Sequence, residues 1–389
     1  MEETDHHDQK QSLSGRQLLS VADMLGTPVS TPPKTAISLP SAQPPPNPDH
    51  EQRNQHEQRN QHDHKNQHDP PNYSRPVGTT RNNNTNTTGS LASNSAAVAS
   101  HYNSRPEIGY EGRKQSVILQ LKNFNNWVKA VLIARYTGSA HRGMTVLDMC
   151  CGKGGDLQKW KQQRVAEVVG LDIAAVSVDQ ARARYDQSAR QFYKASFHAV
   201  DCFSPAVNDI LQQKIFDLVS IQFSLHYSFE TEQRARQAIS NIASHLRSGG
   251  IFLGTVPNAD LIYKRLMHVA NQNAANSAEG PYTFGNSIYS ITFETTTASL
   301  FGHKYRFMLA DAIDDCPEYL INYITLKRLA AEFNMTPLMW KPFHNFYQDE
   351  CISNMDLLER MRVFNDQGTI SPDEWEAIGI YVAFAFQKN

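Results

Sequence analysis

The run Val146-Leu-Asp-Met-Cys-Cys-Gly-Lys-Gly-Gly-Asp156, followed by Leu157-Gln-Lys-Trp160, leaves this chain few ways to fold. Apolar β-forming positions lead through an acidic residue into a turn of small residues and then a helical pattern. The run reads as a strand feeding a helix through a tight loop, whose glycines let backbone approach a ligand closely. Val168-Val-Gly-Leu-Asp172 reads as a second strand ending in a carboxylate. In a βαβ unit that carboxylate accepts hydrogen bonds from ribose hydroxyls. Phe197-His-Ala-Val-Asp201, Phe216–Gln222 and Ile251–Val256 follow as strands three to five, and a helix over residues 230–247 is expected to stop at Ser248-Gly-Gly250. Parallel strands thus deliver Asp148, Asp172, Asp201 and Gln222 to one edge, where α/β sheets hold their ligands.

Two features turn this nucleoside crevice from dinucleotides towards S-adenosylmethionine. Asp148 ends the first strand, where an acid suits a cationic amino group. Asp156 adds a second anion to the loop, which a pyrophosphate site would not tolerate. A dinucleotide-dependent oxidoreductase is disfavoured on the same ground.

Through residue 100 the one aromatic is Tyr73, although the chain of 389 residues holds 18 Phe, 15 Tyr and 4 Trp. Residues 1–105 therefore read as a disordered, low-complexity tail, and residues 106–389 as one α/β domain. The tail carries a repeat, His50-Glu-Gln-Arg-Asn-Gln55 and His56-Glu-Gln-Arg-Asn-Gln61. Its histidines 50, 56, 62, 64 and 68 suit a polar repeat better than a metal site, and Leu18–Leu25 is a candidate docking helix. Five cysteines lack metal-ligand spacing, and neither a secretory leader nor a membrane span is evident, so reduced thiols in an intracellular setting are expected. A formal charge of −2 argues against a non-specific nucleic-acid coat.

Apolar residues 117, 118, 121, 124, 128, 131 and 132 share one face of a predicted helix, while Asn125 and Lys129 project together from another face. Residues 257–320 read as a β-rich inserted lid. Ile378–Phe386 reads as a late antiparallel strand, pairing with one at residues 337–343 to close a seven-stranded sheet.

Several separated motifs resemble the eukaryotic mRNA cap guanine-N7 methyltransferases, of a fungal, single-function type. They are Asn123-Phe-Asn-Asn-Trp-Val-Lys129, Cys151-Gly-Lys-Gly-Gly-Asp-Leu157, Asp172-Ile-Ala174, Gln222-Phe-Ser-Leu-His-Tyr-Ser-Phe229, Cys316-Pro-Glu-Tyr-Leu320 and Ile380–Lys388. The resemblance covers roughly residues 105–389 and implies a Rossmann-like class I fold that transfers a methyl group from S-adenosylmethionine to guanine N7 of a GpppN cap. By position it implies cofactor contacts at Lys129, Cys150, Asp156, Asp172, Asp201, Gln222 and Tyr227, with the ribose on Asp172 and the adenine amine on Asp201. It likewise implies that Asn125, Asn126, Lys153, Lys159, Arg184, Phe223, His226, Glu318 and Tyr381 meet the cap and its phosphates. No metal and no general base are expected, because the guanine N7 lone pair is already nucleophilic. The resemblance also implies a nuclear monomer acting on capped pre-mRNA 5′ ends. RNA polymerase II and other capping enzymes are the expected partners, reached through the tail. Guanylyl transfer is assigned to another chain, since no Lys-x-Asp-Gly motif is present.

One position departs from the family's Asp-x-Gly-Cys-Gly loop: Cys150 replaces its first glycine. If φ is positive there, the side chain costs about 1 kcal/mol and weakens cofactor affinity. The same change raises the alternative of a weak or inactive member acting as a capping-complex subunit. A methyltransferase acting on another RNA is a further alternative.

Overall fold

The computed structural model describes residues 88–104, 112, 114–138, 143–188, 190, 192–277 and 280–389, with side chains from residue 95 onward. The histidine repeat and Leu18–Leu25 lie outside the described residues. Helices α1 (Thr88–Asn103) and α2 (Leu119–Thr137) precede the strands β1 (Thr145–Met149), β2 (Glu167–Asp172), β3 (Lys194–Ala199), β4 (Phe216–Gln222) and β5 (Leu246–Pro257). Between these strands lie α3 (Leu157–Gln162), α4 (Ala175–Ser188), α5 (Ala206–Leu211) and α6 (Glu232–Ser244). A long helix α7 (Ala259–Ala275) leads to β6 (Tyr282–Gly285), β7 (Tyr289–Phe293), β8 (Lys304–Leu309) and β9 (Ile313–Tyr319). The chain ends with α8 (Tyr323–Glu332), β10 (Met335–Pro342), α9 (Phe343–Glu350), α10 (Met355–Arg360), α11 (Pro372–Ile378) and β11 (Tyr381–Lys388).

The main sheet runs β10-β11-β5-β4-β1-β2-β3, parallel from β5 to β3, with β11 and β10 paired antiparallel at one side. This is the expected class I methyltransferase arrangement of seven strands. The register pairs Asp148 with Ser220 and Met149 with Ile221, so β1 and β4 leave the sheet side by side. Strands β6 to β9 form a separate antiparallel sheet, whose β9 carries Glu318.

Three expectations need correction. The tail does not run to residue 105: Thr88–Asn103 is helical, and its Val98 and Tyr102 pack on the main core cluster. Residues 257–320 are not β-rich throughout, because seventeen of them form α7. The helix before β5 stops at Ser244, and Gly249-Gly250 lies inside the strand, where the pairing with β4 slips between Phe216↔Leu246 and Leu218↔Ile251. The glycine pair therefore makes an irregularity in an edge of pairing, with Gly249 at φ +71°, instead of a helix stop.

Helix α2 buries Leu121, Phe124, Trp127, Val128, Val131 and Leu132, while Val117 stands before the helix and is exposed. Phe124 and Trp127 meet Phe343, Phe346, Tyr347 and Trp375 in one aromatic cluster, and the Leu121 backbone N–H donates to Glu374 at 3.1 Å. These contacts fix α2 across the end of the sheet that carries the crevice.

Gly254 in β5 marks the tightest packing of the sheet. A Cβ there would lie 2.0 Å from the Ile221 carbonyl oxygen and 2.9 Å from the Phe384 ring. Backbone cannot yield as a flexible side chain can, so Gly254→Ala is expected to lower stability by about 2 kcal/mol or more, read as the midpoint of urea unfolding. A variant within about 0.5 kcal/mol of the parent would contradict this packing.

Candidate functional site

The chain turns sharply after β1 and after β4. Cys150 after β1 has φ +58° and Phe223 after β4 has φ +58°, with Gly152 at +52° and Gly154 at +70° between β1 and α3. A Cβ on Gly154 would come 2.6 Å from the Leu157 side chain, so glycine there serves both the turn and the packing. These turns open a cavity of about 260 Å³ walled by Cys150, Gly152, Asp172, Asp201, Gln222 and Tyr227 among others. Five of the seven expected cofactor residues therefore line one cavity.

Asp172 is held as a preset acceptor. Its Oδ2 accepts from the Gly152 N–H and its Oδ1 from the Ala174 N–H, both at 2.8 Å. Two further lone pairs remain for a ligand diol. Burial raises its pKa, and the two backbone donors oppose that rise. Gln222 is fixed by donating to Ser220 Oγ and accepting from Thr255 Oγ1, both at 3.1 Å. The Cys150 thiol is pushed well above its ordinary range by its hydrogen bond to Cys202 and by burial, so it offers the cavity an uncharged wall.

Asp201 is held by several partners. Its Oδ2 accepts from Arg234 at 3.0 Å and Ser95 at 3.4 Å, and its Oδ1 from the Phe203 N–H at 2.9 Å and Arg234 at 3.4 Å. These contacts fix the carboxylate at the cavity wall, which it lines, with its side chain 21% exposed. Asp148 is not offered to a ligand: it is buried and accepts from Trp160 Nε1 at 3.2 Å. Burial and the nearby Asp156 carboxylate push its pKa up to about 7.

Lys129 and Asp156 sit outside the cavity wall and pair with each other at 2.9 Å. Lys159 Nζ also reaches Asp156, at 2.8 Å, and the Asn126 Oδ1 at 3.1 Å. Burial alone would raise the Asp156 pKa, yet the two ammonium groups bring it well below the usual carboxylate range. Lys159 is thus buried and committed beneath the loop, and the expected contact of Lys159 with cap phosphates is replaced by support of Asp156 and Asn126.

A second hollow, of about 650 Å³, adjoins the loop and is lined by Asn125, Asn126, Lys129, Arg184 and Phe223, together with Lys122. Asn125 Oδ1 is buried with no hydrogen-bond partner among the described residues. Lys153 lies half-buried on the loop after β1 and lines neither space. Phe223 lines both, and its ring meets Tyr381 at 5.0 Å, nearly perpendicular. His226, Glu318 and Tyr381 are buried beside this partition. Glu318 Oε2 accepts from Tyr305 at 2.6 Å, while Oε1 lies 3.4 Å from His226 Nε2 and 3.5 Å from the Tyr227 hydroxyl. Neither ring nitrogen of His226 has a hydrogen bond among the described residues.

Reasoning from the sequence missed Ser95, Val98 and Tyr102 of α1, which wall the cavity, and Arg234, which pairs with Asp201. The signal for α1 was the spacing of Val98 and Tyr102, four apart on one helical face.

Residues 84–389 match the mRNA (guanine-N(7))-methyltransferase domain family. The chain is 45% identical over 301 residues to the mRNA cap guanine-N(7) methyltransferase of Cryptococcus neoformans var. neoformans, which covers 75% of this chain and 47% of that protein. It is 40% identical over 303 residues to the mRNA cap guanine-N(7) methyltransferase of Schizosaccharomyces pombe, covering 75% of this chain and 82% of that one. The chain therefore spans a little under half of the first relative and most of the second.

Positive φ at Cys150 meets the condition under which its side chain is strained. Cys150→Gly is expected to raise the folded state's stability by about 1 kcal/mol, the strain of a non-glycine residue at that φ, while Asp172 and Gln222 keep the cavity able to bind S-adenosylhomocysteine. An unchanged or lowered urea-unfolding midpoint would contradict this.

Proposed function

The chain belongs to the mRNA (guanine-N(7))-methyltransferase family, and we propose that it methylates N7 of the terminal guanosine of GpppN-capped RNA. The observation that carries this reading is the partition at Phe223, which joins a nucleoside-sized cavity to a hollow lined by amides and cations. The cavity's polar groups fit S-adenosylmethionine: Asp172 keeps acceptor capacity for the ribose hydroxyls, and Gln222 and Tyr227 complete the wall. When bound there, this cofactor supplies an electrophilic methyl group that carries its own leaving group.

The chain's residues then orient the purine. Tyr381 and Phe223 present perpendicular rings, suited to holding a flat base by stacking. The Glu318 carboxylate offers its remaining acceptor capacity to the guanine N1 edge, and its charge favours the cationic methylated base. His226 has a ring nitrogen to spare for the same base. Asn125, Asn126 and Arg184 face the cap's sugar and phosphates, where cations on a polyanion contribute most. No residue needs to remove a proton, because N7 attacks through a lone pair in the ring plane. Catalysis rests on proximity and orientation.

The same reading places the reaction in the nucleus on capped pre-mRNA. It gives residues 1–87 the task of recruitment to RNA polymerase II or other capping enzymes. That task is excluded if a chain beginning at residue 88 supports full function in cells.

Methyl transfer from labelled S-adenosylmethionine to GpppA-capped RNA tests the activity, with m7GpppA-capped and uncapped RNA beside it. Transfer to the unmethylated cap alone is expected, with a rate that varies little across neutral pH. Absent transfer with cofactor binding intact would refute the substrate. A steep pH dependence abolished by His226→Asn would refute the mechanism without a base.

A further inference from the structure

Helix α1 crosses the ligand-bearing edge of the sheet and is pinned near its middle and at its C-terminal end. Ser95 Oγ donates to Asp201 Oδ2 at 3.4 Å, and Asn103 Oδ1 accepts from the Val176 N–H at 3.1 Å. Between these pins Val98 and Tyr102 face inward, onto the core and the cofactor cavity. The Tyr102 hydroxyl lies 3.2 Å from the Tyr227 hydroxyl, which in turn lies 3.5 Å from Glu318 Oε1. Three oxygens thus run in file from the cavity wall to the carboxylate assigned to the purine.

The direction of the file follows from donor count. A carboxylate accepts only, so Tyr227 gives its single proton towards Glu318, and its oxygen is left to accept from Tyr102. Burial pushes the pKa of both phenols up, so both keep their protons at neutral pH. With a donor behind it, an acceptor ahead and Cys316 Sγ 3.7 Å to the side, the Tyr227 hydroxyl is held at the cavity wall.

We propose that Tyr102 is a positioning residue for methyl transfer, its hydroxyl holding Tyr227 in place between the cofactor cavity and Glu318. The proposal rests on the methyl-transfer reading above for its kinetic consequence, but its structural half is independent of the substrate. The hydroxyl and the ring of Tyr102 have separable effects. The hydroxyl sets Tyr227; the ring closes the cavity.

The test uses the full chain with Tyr102→Phe and Tyr102→Ala. For Tyr102→Phe, the dissociation constant of S-adenosylhomocysteine and the KM for GpppA-capped RNA are expected to stay within about twofold of the parent, while kcat falls roughly tenfold, the scale of one neutral hydrogen bond. Tyr102→Ala, which opens the wall, is expected to weaken S-adenosylhomocysteine more than about tenfold. With 13Cζ-tyrosine labelling, the Tyr227 resonance is expected to shift in Tyr102→Phe, which is read without turnover. An unchanged kcat and an unchanged Tyr227 resonance overturn the proposal. So does an equal loss of affinity and rate in both variants, which would mark Tyr102 as wall alone. A parent that binds S-adenosylhomocysteine yet methylates no cap refutes the substrate reading, and the resonance then decides on Tyr102.

Discussion

Two residues held with positive φ, Cys150 after β1 and Phe223 after β4, set the arrangement on which the site depends. Because β1 and β4 are neighbours in register, both turns occur side by side at the centre of the sheet. The first folds the loop back so that the Gly152 N–H reaches Asp172, the terminal residue of β2. The second throws the Phe223 ring across the gap between two spaces and sends the chain into the short helical turn Leu225–Glu230, which carries His226 and Tyr227. Left-handed backbone costs a non-glycine residue energy, which surrounding structure must overcome. Here β5 and the turn after β3 do so, with the Phe223 N–H bonded to Thr255 of β5 and the Cys150 N–H to Cys202 of that turn.

A buried charge cluster ties the second space to the first. Asp156 lies between Lys129 of α2 and Lys159 of α3, so the loop after β1 and the helix far from it in sequence share one electrostatic centre. Removing one partner of such a cluster leaves a buried charge uncompensated, a loss of about 3–5 kcal/mol in comparable sites. Lys159 extends the cluster to Asn126, which places the amides of α2 at the mouth of the hollow. Glu318 and Tyr381 arrive from the inserted sheet and the last strand, so residues from four distant segments meet at one partition.

The parallel half of the sheet was legible because each strand pairs an apolar run with a polar residue at or near its end, even where the strand itself stops at Met149 or Ala199. Other features were written only in three dimensions. Nothing in Lys159 itself separates a phosphate-facing lysine from one buried under its own loop. Asp201 reads as an open carboxylate until Arg234, thirty-three residues on, is seen to pair with it. Helix α1 is rich in serine, alanine and asparagine, so its composition argued for a tail, and only the inward pair Val98 and Tyr102 betrays a packed face. Gly249 and Gly250 punctuate a helix in the sequence but sit within a strand in the fold. The joint placement of His226, Glu318 and Tyr381 came from family resemblance, since each residue taken alone has an ordinary packing role.

The central claim is that the Phe223 partition holds a cofactor on one side and a guanine on the other. A crystal structure of the chain with S-adenosylhomocysteine and GpppA tests it most directly. The account predicts the ribose hydroxyls on Asp172 and the guanine against Phe223 and Tyr381, with its N1 edge on Glu318 and N7 turned towards the cofactor sulfur. A guanine bound away from Glu318, or a cofactor whose ribose avoids Asp172, would contradict it.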